Sequence, residues 1–303
     1  MKIWTLVTAA AASSLLAPAA CSPVAAQPLA AAQAATTEHD HIRTRLYGTK
    51  GPVIVLIPGM STPGAVWDET VAALRTDHRL LVVEVKGFEG VPTPANEGPG
   101  LIDGIVADLA ADLTSRRIGK AIVAGHSFGG LLAMKFALDR PDQVKGIMVV
   151  DALPFFGTVL DDKATVESVT PQANMMKTQM LANREAMKAA AVRGVSKDPG
   201  GGMAATPEAR MKIANWALKA DPAVVAQAVY EDLMTDLRGD IAAIEVPMVV
   251  LYQAQDPEKA QHRYVTDYAA QPAARLVPVA NTAHFIMIDR PDLFQAELNA
   301  LAR

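Results

Sequence analysis

A serine held between glycines is the first feature of this chain that points to chemistry. The stretch Ala121-Ile122-Val123-Ala124-Gly125-His126-Ser127-Phe128-Gly129-Gly130 contains a Gly-x-Ser-x-Gly pattern, with an apolar run on either side. A tight turn between a strand and a helix forces such a serine into a strained backbone conformation with its hydroxyl above the sheet, and flanking glycines leave room for the close approach. A hydroxyl attacks a carbonyl only when a base takes its proton, so the motif calls for a histidine and for an acid that orients it. Six histidines compete for that role: His39, His41, His78, His126, His262 and His284. Thiol chemistry has no such supply. Cys21 is the only cysteine, so disulfides and cysteine-ligated zinc are excluded from the body of the protein. His39, Asp40 and His41 have the residue types of a metal site but no further ligand cluster, and neither a metal nor an organic cofactor is expected.

The elements that must position the serine follow from the apolar pattern. Short β-branched runs at Pro52 to Ile57, Leu80 to Val85, Ala121 to Ala124, Val144 to Asp151, Val246 to Tyr252 and Ala274 to Val279 read as strands. Between them, Trp67 to Leu74, Leu101 to Leu113 and Gly129 to Leu138 read as helices, and Asp292 to Leu301 as a final helix. Continuous apolar strands separated by helices predict an α/β fold, with a mostly parallel sheet covered on both faces. From Ala152 to Glu245 the strand rhythm stops. Thr170-Pro171, Thr206-Pro207 and Asp221-Pro222 each combine an N-cap residue with proline at the first helical position, so residues 152–245 are expected to form a helical cap insertion. Pro199-Gly200-Gly201-Gly202 in its middle reads as a mobile break. The core then divides into residues 42–151 and 246–303.

The N-terminus reads as an address. Lys2, the apolar run Ile3 to Leu16 and small residues up to Ala26 have the order of a signal peptide over residues 1–26, followed by a linker over residues 27–41. Export to the periplasm or medium is the expectation; the setting of Cys21 offers lipidation as the alternative. With 28 basic and 32 acidic residues, the net charge of −4 gives no footprint for a nucleic-acid partner. Beyond the leader no apolar run reaches the roughly 20 residues of a spanning helix.

With its strand, Gly-x-Ser-x-Gly elbow and helix, the chain resembles the α/β-hydrolase superfamily from residue 42 to residue 303. The resemblance implies Ser127 as nucleophile and an oxyanion hole formed by the backbone N–H groups of Met60 and Phe128, although Pro58 stands where His-Gly is commoner. It implies His284 as base, because Val279-Ala280-Asn281-Thr282-Ala283-His284-Phe285 occupies the loop between the last strand and the last helix. Asp256, in Gln255-Asp256-Pro257 after the strand ending at Tyr252, is the expected acid; Asp151, one strand earlier, is the alternative, and Glu258 a third. The implied reaction is hydrolysis of a carboxylic ester through an acyl-enzyme, with lactone, amide or peptide, carbon–carbon and perhydrolase chemistry open on the same triad, and a non-catalytic ligand-binding relative as the alternative of another class. An aspartate nucleophile is excluded because Ser127 holds the elbow. Phe155 and Phe156 are expected on the substrate wall, with Phe128 and the methionine-rich insertion (Met175, Met176, Met180, Met187, Met203, Met211, Met234), around a small apolar acyl substrate.

Overall fold

A computed structural model describes residues 35–89 and 94–303. The expected leader, with Cys21, and residues 27–34 of the expected linker lie outside the described residues. The strands are β1 Ala35–Glu38, β2 Ile42–Tyr47, β3 Val53–Ile57, β4 Arg79–Val85, β5 Ala121–His126, β6 Val144–Val150, β7 Met248–Gln253 and β8 Arg275–Val279. They form one sheet in the order β1-β2-β4-β3-β5-β6-β7-β8, parallel from β4 to β8 and antiparallel where β2 joins β4 and β1 joins β2. The fold is therefore α/β, an α/β-hydrolase sheet with helices on both faces.

Period-two alternation builds the two cores. Val53, Val55, Ile57, Val123, Ile147 and Val149 face one side of the sheet, and Ile54, Leu56, Ile122, Ala124, Met148 and Val150 the other, all fully or nearly fully buried. Each large aliphatic side chain so buried contributes about 1.5–3 kcal/mol before entropy is charged against it. Between the strands run α1 Asp68–Leu74, α2 Pro94–Glu97, α3 Leu101–Ser115 and α4 Phe128–Asp139. After β7 come α9 Pro257–Asp267, α10 Ile286–Asp289 and α11 Pro291–Ala302.

One expectation about the N-terminal region is corrected. Residues 35–38, placed in the linker, form the edge strand β1, paired from Ala35↔Leu46 to Glu38↔Arg43. Its side chains are mostly exposed, so it carries no apolar alternation; backbone pairing holds it, together with Arg116, which donates to Ala35 O and Thr37 Oγ1.

Between β6 and β7 no strand intervenes among the described residues; four helices do, α5 Val166–Ala182, α6 Arg184–Arg193, α7 Pro207–Lys219 and α8 Pro222–Met234. Two of the expected starts hold: Thr206 Oγ1 accepts from Ala209 N at 3.2 Å and Asp221 Oδ1 from Ala223 N at 2.8 Å. The third is displaced. α5 begins at Val166 because Thr165 and Ser168 form a reciprocal capping box, and Pro171 lies within the helix. That box satisfies two orphan groups at once, whereas Thr170 as a cap would satisfy one. α8 is tied to the core by Glu231, whose carboxylate accepts from the N–H groups of Gly100, Leu101 and Ile102 at 2.7, 3.1 and 2.8 Å, capping the N-terminus of α3. None of the described helices is long and apolar enough to cross a membrane.

Candidate active site

The turn from β5 into α4 shows why the motif requires glycine. A Cβ on Gly125 would lie 1.8 Å from Gly129 O, and one on Gly129 would lie 2.4 Å from Ile57 O and 2.6 Å from Pro58 O. Ser127 between them has φ 53° and ψ −123°, a conformation that costs a non-glycine residue of order 1–3 kcal/mol. It is held there by its N–H on Val150 O at 2.9 Å and by its own carbonyl, which accepts from Gly130 N at 2.7 Å. Phe128 opens α4, where a helix has no acceptor of its own for the first N–H groups. The Pro58-Gly59-Met60 loop packs against this elbow, closed by Thr62 N on Gly59 O at 3.2 Å, and a Cβ on Gly59 would strike His126 Nδ1 at 2.7 Å.

His284 stands in the loop after β8, on the wall of the same cavity as Ser127. Backbone bonds from His284 N to Gly202 O (3.1 Å) and from Phe285 N to Met203 O (3.0 Å) join this loop to the glycine-rich break of the helical segment. Asp289 ties it further, accepting from Ala283 N at 2.8 Å and from Ala205 N at 3.0 Å. The imidazole rests on the ring of His126, with centroids 4.6 Å apart, and His126 Nε2 donates to His284 O at 3.0 Å. Burial, reinforced by the neighbouring His284, holds His126 well below the ordinary histidine range, so it is a neutral packing group.

The carboxylate on His284 is Asp151, and this corrects the expected pairing with Asp256. Asp151 Oδ2 lies 2.7 Å from His284 Nδ1. Its other oxygen accepts from Gln253 N at 3.0 Å and from Tyr264 Oη at 3.1 Å. The side chain is 8% exposed, and the residue has φ 48°, a left-handed turn directly after β6 that swings the carboxylate over the end of β7. Asp256 is exposed and caps α9, accepting from Lys259 N at 3.3 Å with Pro257 at the first helical position. Glu258 follows in the first turn of that helix and is exposed. Tyr264 was not anticipated. It stacks between Tyr252 and Tyr268, with ring centroids 4.2 and 6.1 Å away, and burial together with the nearby Asp151 pushes its hydroxyl well above the usual tyrosine range. It therefore remains a donor to Asp151 at any ordinary pH.

Ser127, Asp151 and His284 open onto one cavity of about 670 Å³. Phe128 and Leu131 line it from the core, Leu153, Phe156 and Met203 from the segment between β6 and β7. Phe155 does not; it is fully buried with Ala164 and Val169 beneath the Arg238 guanidinium, which lies 4.6 Å from its ring centroid. Of the insertion's methionines, Met203 reaches the cavity, while Met175 is 52% exposed. The histidines considered for metal have structural partners: His39 Nε2 meets Asp112 Oδ1 at 3.2 Å and His41 Nδ1 meets Asn96 Oδ1 at 2.6 Å. Among the described residues no three His, Cys, Asp or Glu side chains gather as a metal site.

Known proteins of similar sequence and shape place the chain in a family. The profile of the Alpha/beta hydrolase family matches residues 54–297. Lipase LipV of Mycobacterium tuberculosis is 35% identical over 111 residues, 36% of this chain and 41% of that protein, so the chain spans about two fifths of that relative's length. The pimeloyl-[acyl-carrier protein] methyl ester esterase of Vibrio vulnificus is 26% identical over 269 residues, 84% of this chain and 95% of its own. Among solved structures, the enol-lactonase from Burkholderia xenovorans LB400 superposes with a TM-score of 0.67 at 21% identity, over 86% of this chain and 95% of that one, a likeness of fold. The elbow, the sheet order and the profile match together establish that the chain belongs to the alpha/beta hydrolase family.

Proposed function

We propose that the protein hydrolyses a carboxylic ester with Ser127 as nucleophile, His284 as general base and Asp151 as the acid that orients it. The observation that carries this reading is the 2.7 Å bond between His284 Nδ1 and Asp151, made on the wall of the cavity that also receives the strained Ser127. With Nδ1–H donated to Asp151, His284 presents Nε2 as the acceptor for a hydroxyl proton. Ser127 Oγ then attacks the ester carbonyl, and the proton passes through His284 to the leaving alcohol. Water, deprotonated by His284 in turn, cleaves the acyl-enzyme. The developing oxyanion is received by the N–H groups of Phe128 and Met60; a single donor of this kind is worth about 10²- to 10³-fold in kcat.

Residues 152–245 act as a cap in this reading, because Phe156, Val159 and Met203 line the cavity that also receives the nucleophile. Leu131, Leu153, Phe156, Val159 and Met203 favour an apolar acyl or alkyl group. The test is turnover of short-chain nitrophenyl esters together with fluorophosphonate labelling. The expected result is label on Ser127 and loss of both signals in Ser127→Ala with the fold retained; label on another serine, or folded protein that neither turns over nor labels, overturns the mechanism. The leader supports export, and N-terminal sequencing of the protein from fractionated cells should find a start after Ala26; a chain retaining Lys2 would refute it.

A further inference from the structure

Among the described residues three carboxylates line the cavity, and two are engaged. Asp151 is bound by His284, Gln253 and Tyr264, and Asp256 caps α9. The third, Asp232, is 7% exposed and has no hydrogen-bond partner among the described residues. It lies on the buried stripe of α8, four residues after Ala228 and eight after Val224, both fully buried. Burying a carboxyl without a donor is costly, and the desolvation raises Asp232 from the ordinary range to about 7. The two cations of the cavity wall lie elsewhere, on α9: Arg263 is bound to Thr158 O at 2.8 Å and to Asp162 at 3.1 Å, and Lys259 is exposed. A second acceptor is also unfilled, since Gln253, on the same wall, has its side-chain oxygen buried without a partner.

We propose that Asp232 is a specificity-determining residue, its carboxyl group receiving a hydrogen-bond donor carried by the substrate, a hydroxyl or a protonated amine on the portion lodged under α8. The proposal rests on the reading of Ser127 as the nucleophile for its substrate, an ester, but not for the contact itself. A site built to pair with a polar group penalises the analogue lacking it, because its own buried group is then left unpaired. The apolar wall accommodates the chain of the substrate and Asp232 selects its functional group.

Methyl esters of C4–C10 acids, unsubstituted, ω-hydroxylated or ω-aminated, separate the two donor types in a turnover assay of the wild-type protein. The corresponding methyl ketones, titrated calorimetrically into Ser127→Ala protein, give the same comparison without turnover. One donor-bearing series should exceed the unsubstituted one by about ten- to hundredfold in kcat/KM and in affinity. That ratio should fall to near one in Asp232→Leu, or in Asp232→Ala should the leucine variant not fold. Asp232→Asn distinguishes the sources, since an amide retains the preference for a hydroxyl and loses the preference for an ammonium. Equal treatment of all series by the wild type, or a preference that persists in Asp232→Leu and Asp232→Ala, overturns the proposal. A preference seen in binding, with no ester turned over, supports the proposal and instead breaks the hydrolase reading.

Discussion

The ends of β6 and β7 lie side by side on the same edge of the sheet, and each is followed within a few residues by an aspartate. Asp151 leaves β6 through a left-handed turn into a buried position where three donors converge on it. Asp256 leaves β7 toward solvent and turns back onto its own chain to cap α9. Residue type and place in the topology are the same; the difference is which donors each carboxylate reaches. An acid that must orient an imidazole has to be fixed from its far side, and only the carboxylate placed after β6 receives that support, from Gln253 N at the end of β7 and from Tyr264 of α9. Asp232 extends the contrast, being buried yet without donors among the described residues.

The most severe test of this contrast exchanges the two aspartates for asparagine. Asp151→Asn should lower kcat by up to about four orders of magnitude, because an amide in that place favours the wrong tautomer of His284. Asp256→Asn should leave kcat within about twofold, asparagine being as good a helix cap as aspartate. Steady-state kinetics on one ester decides the matter, and a reversed pair would return the acid to β7.

Next in size is a pH effect at Asp232. Its carboxyl is raised from 3.8 to about 7 in the fold, so the folded state binds the extra proton between those values. Stability from this group is complete below about pH 4, is lost as the pH rises toward 7, and is level above it; the whole change is at most about 4 kcal/mol. Asp232→Asn should abolish that slope, and urea titrations of both proteins from pH 4 to pH 8 would reveal it. A parallel pair of curves would mean that Asp232 is not buried without donors in solution.

Tyr264→Phe removes one of the three donors to Asp151. A loss of about fivefold in kcat, with KM little changed, is expected from the roughly 1 kcal/mol of one such bond. A change confined to KM would place Tyr264 on the substrate side instead. Smallest is Asp256→Ala, which should cost about 1 kcal/mol of stability through the lost cap, measured as a shift of the denaturation midpoint.

The contrast was partly legible in the sequence. Asp256-Pro257 has the same N-cap and proline signature that correctly opens α7 at Thr206-Pro207 and α8 at Asp221-Pro222. Applied there, it marks Asp256 as a cap and reveals α9, and with it Tyr264. The elbow was legible in full, because Gly125 and Gly129 are demanded by backbone contacts that no other residue permits. The inner strands β3, β5 and β7 were legible because they are buried on both faces and read as nearly unbroken apolar runs. β1 was not, since an exposed edge strand takes its stability from pairing rather than from side chains. The role of Asp151 depends on a φ of 48° and on donors more than a hundred residues away, and no local pattern encodes either. Thr170-Pro171 failed for a local reason, the stronger box five residues upstream. Asp232 carried an unused signal, an acid at four-residue spacing on an otherwise apolar helix face.

The carboxylate of Glu231, next to Asp232, closes the amide N–H groups of Gly100, Leu101 and Ile102. Those three amides belong to the core, yet their partner belongs to α8, so any excursion that lifts α8 from α3 must release them to solvent. Their deuterium uptake therefore keeps time for the helix above. If the cavity admits substrate through fluctuations of α8, these amides exchange at the opening rate of that helix, while Gly104, bonded to Gly100 O within α3, exchanges far more slowly. If they exchange no faster than Gly104, α8 is a fixed wall, and entry belongs to the segment bearing Phe156 and Met203.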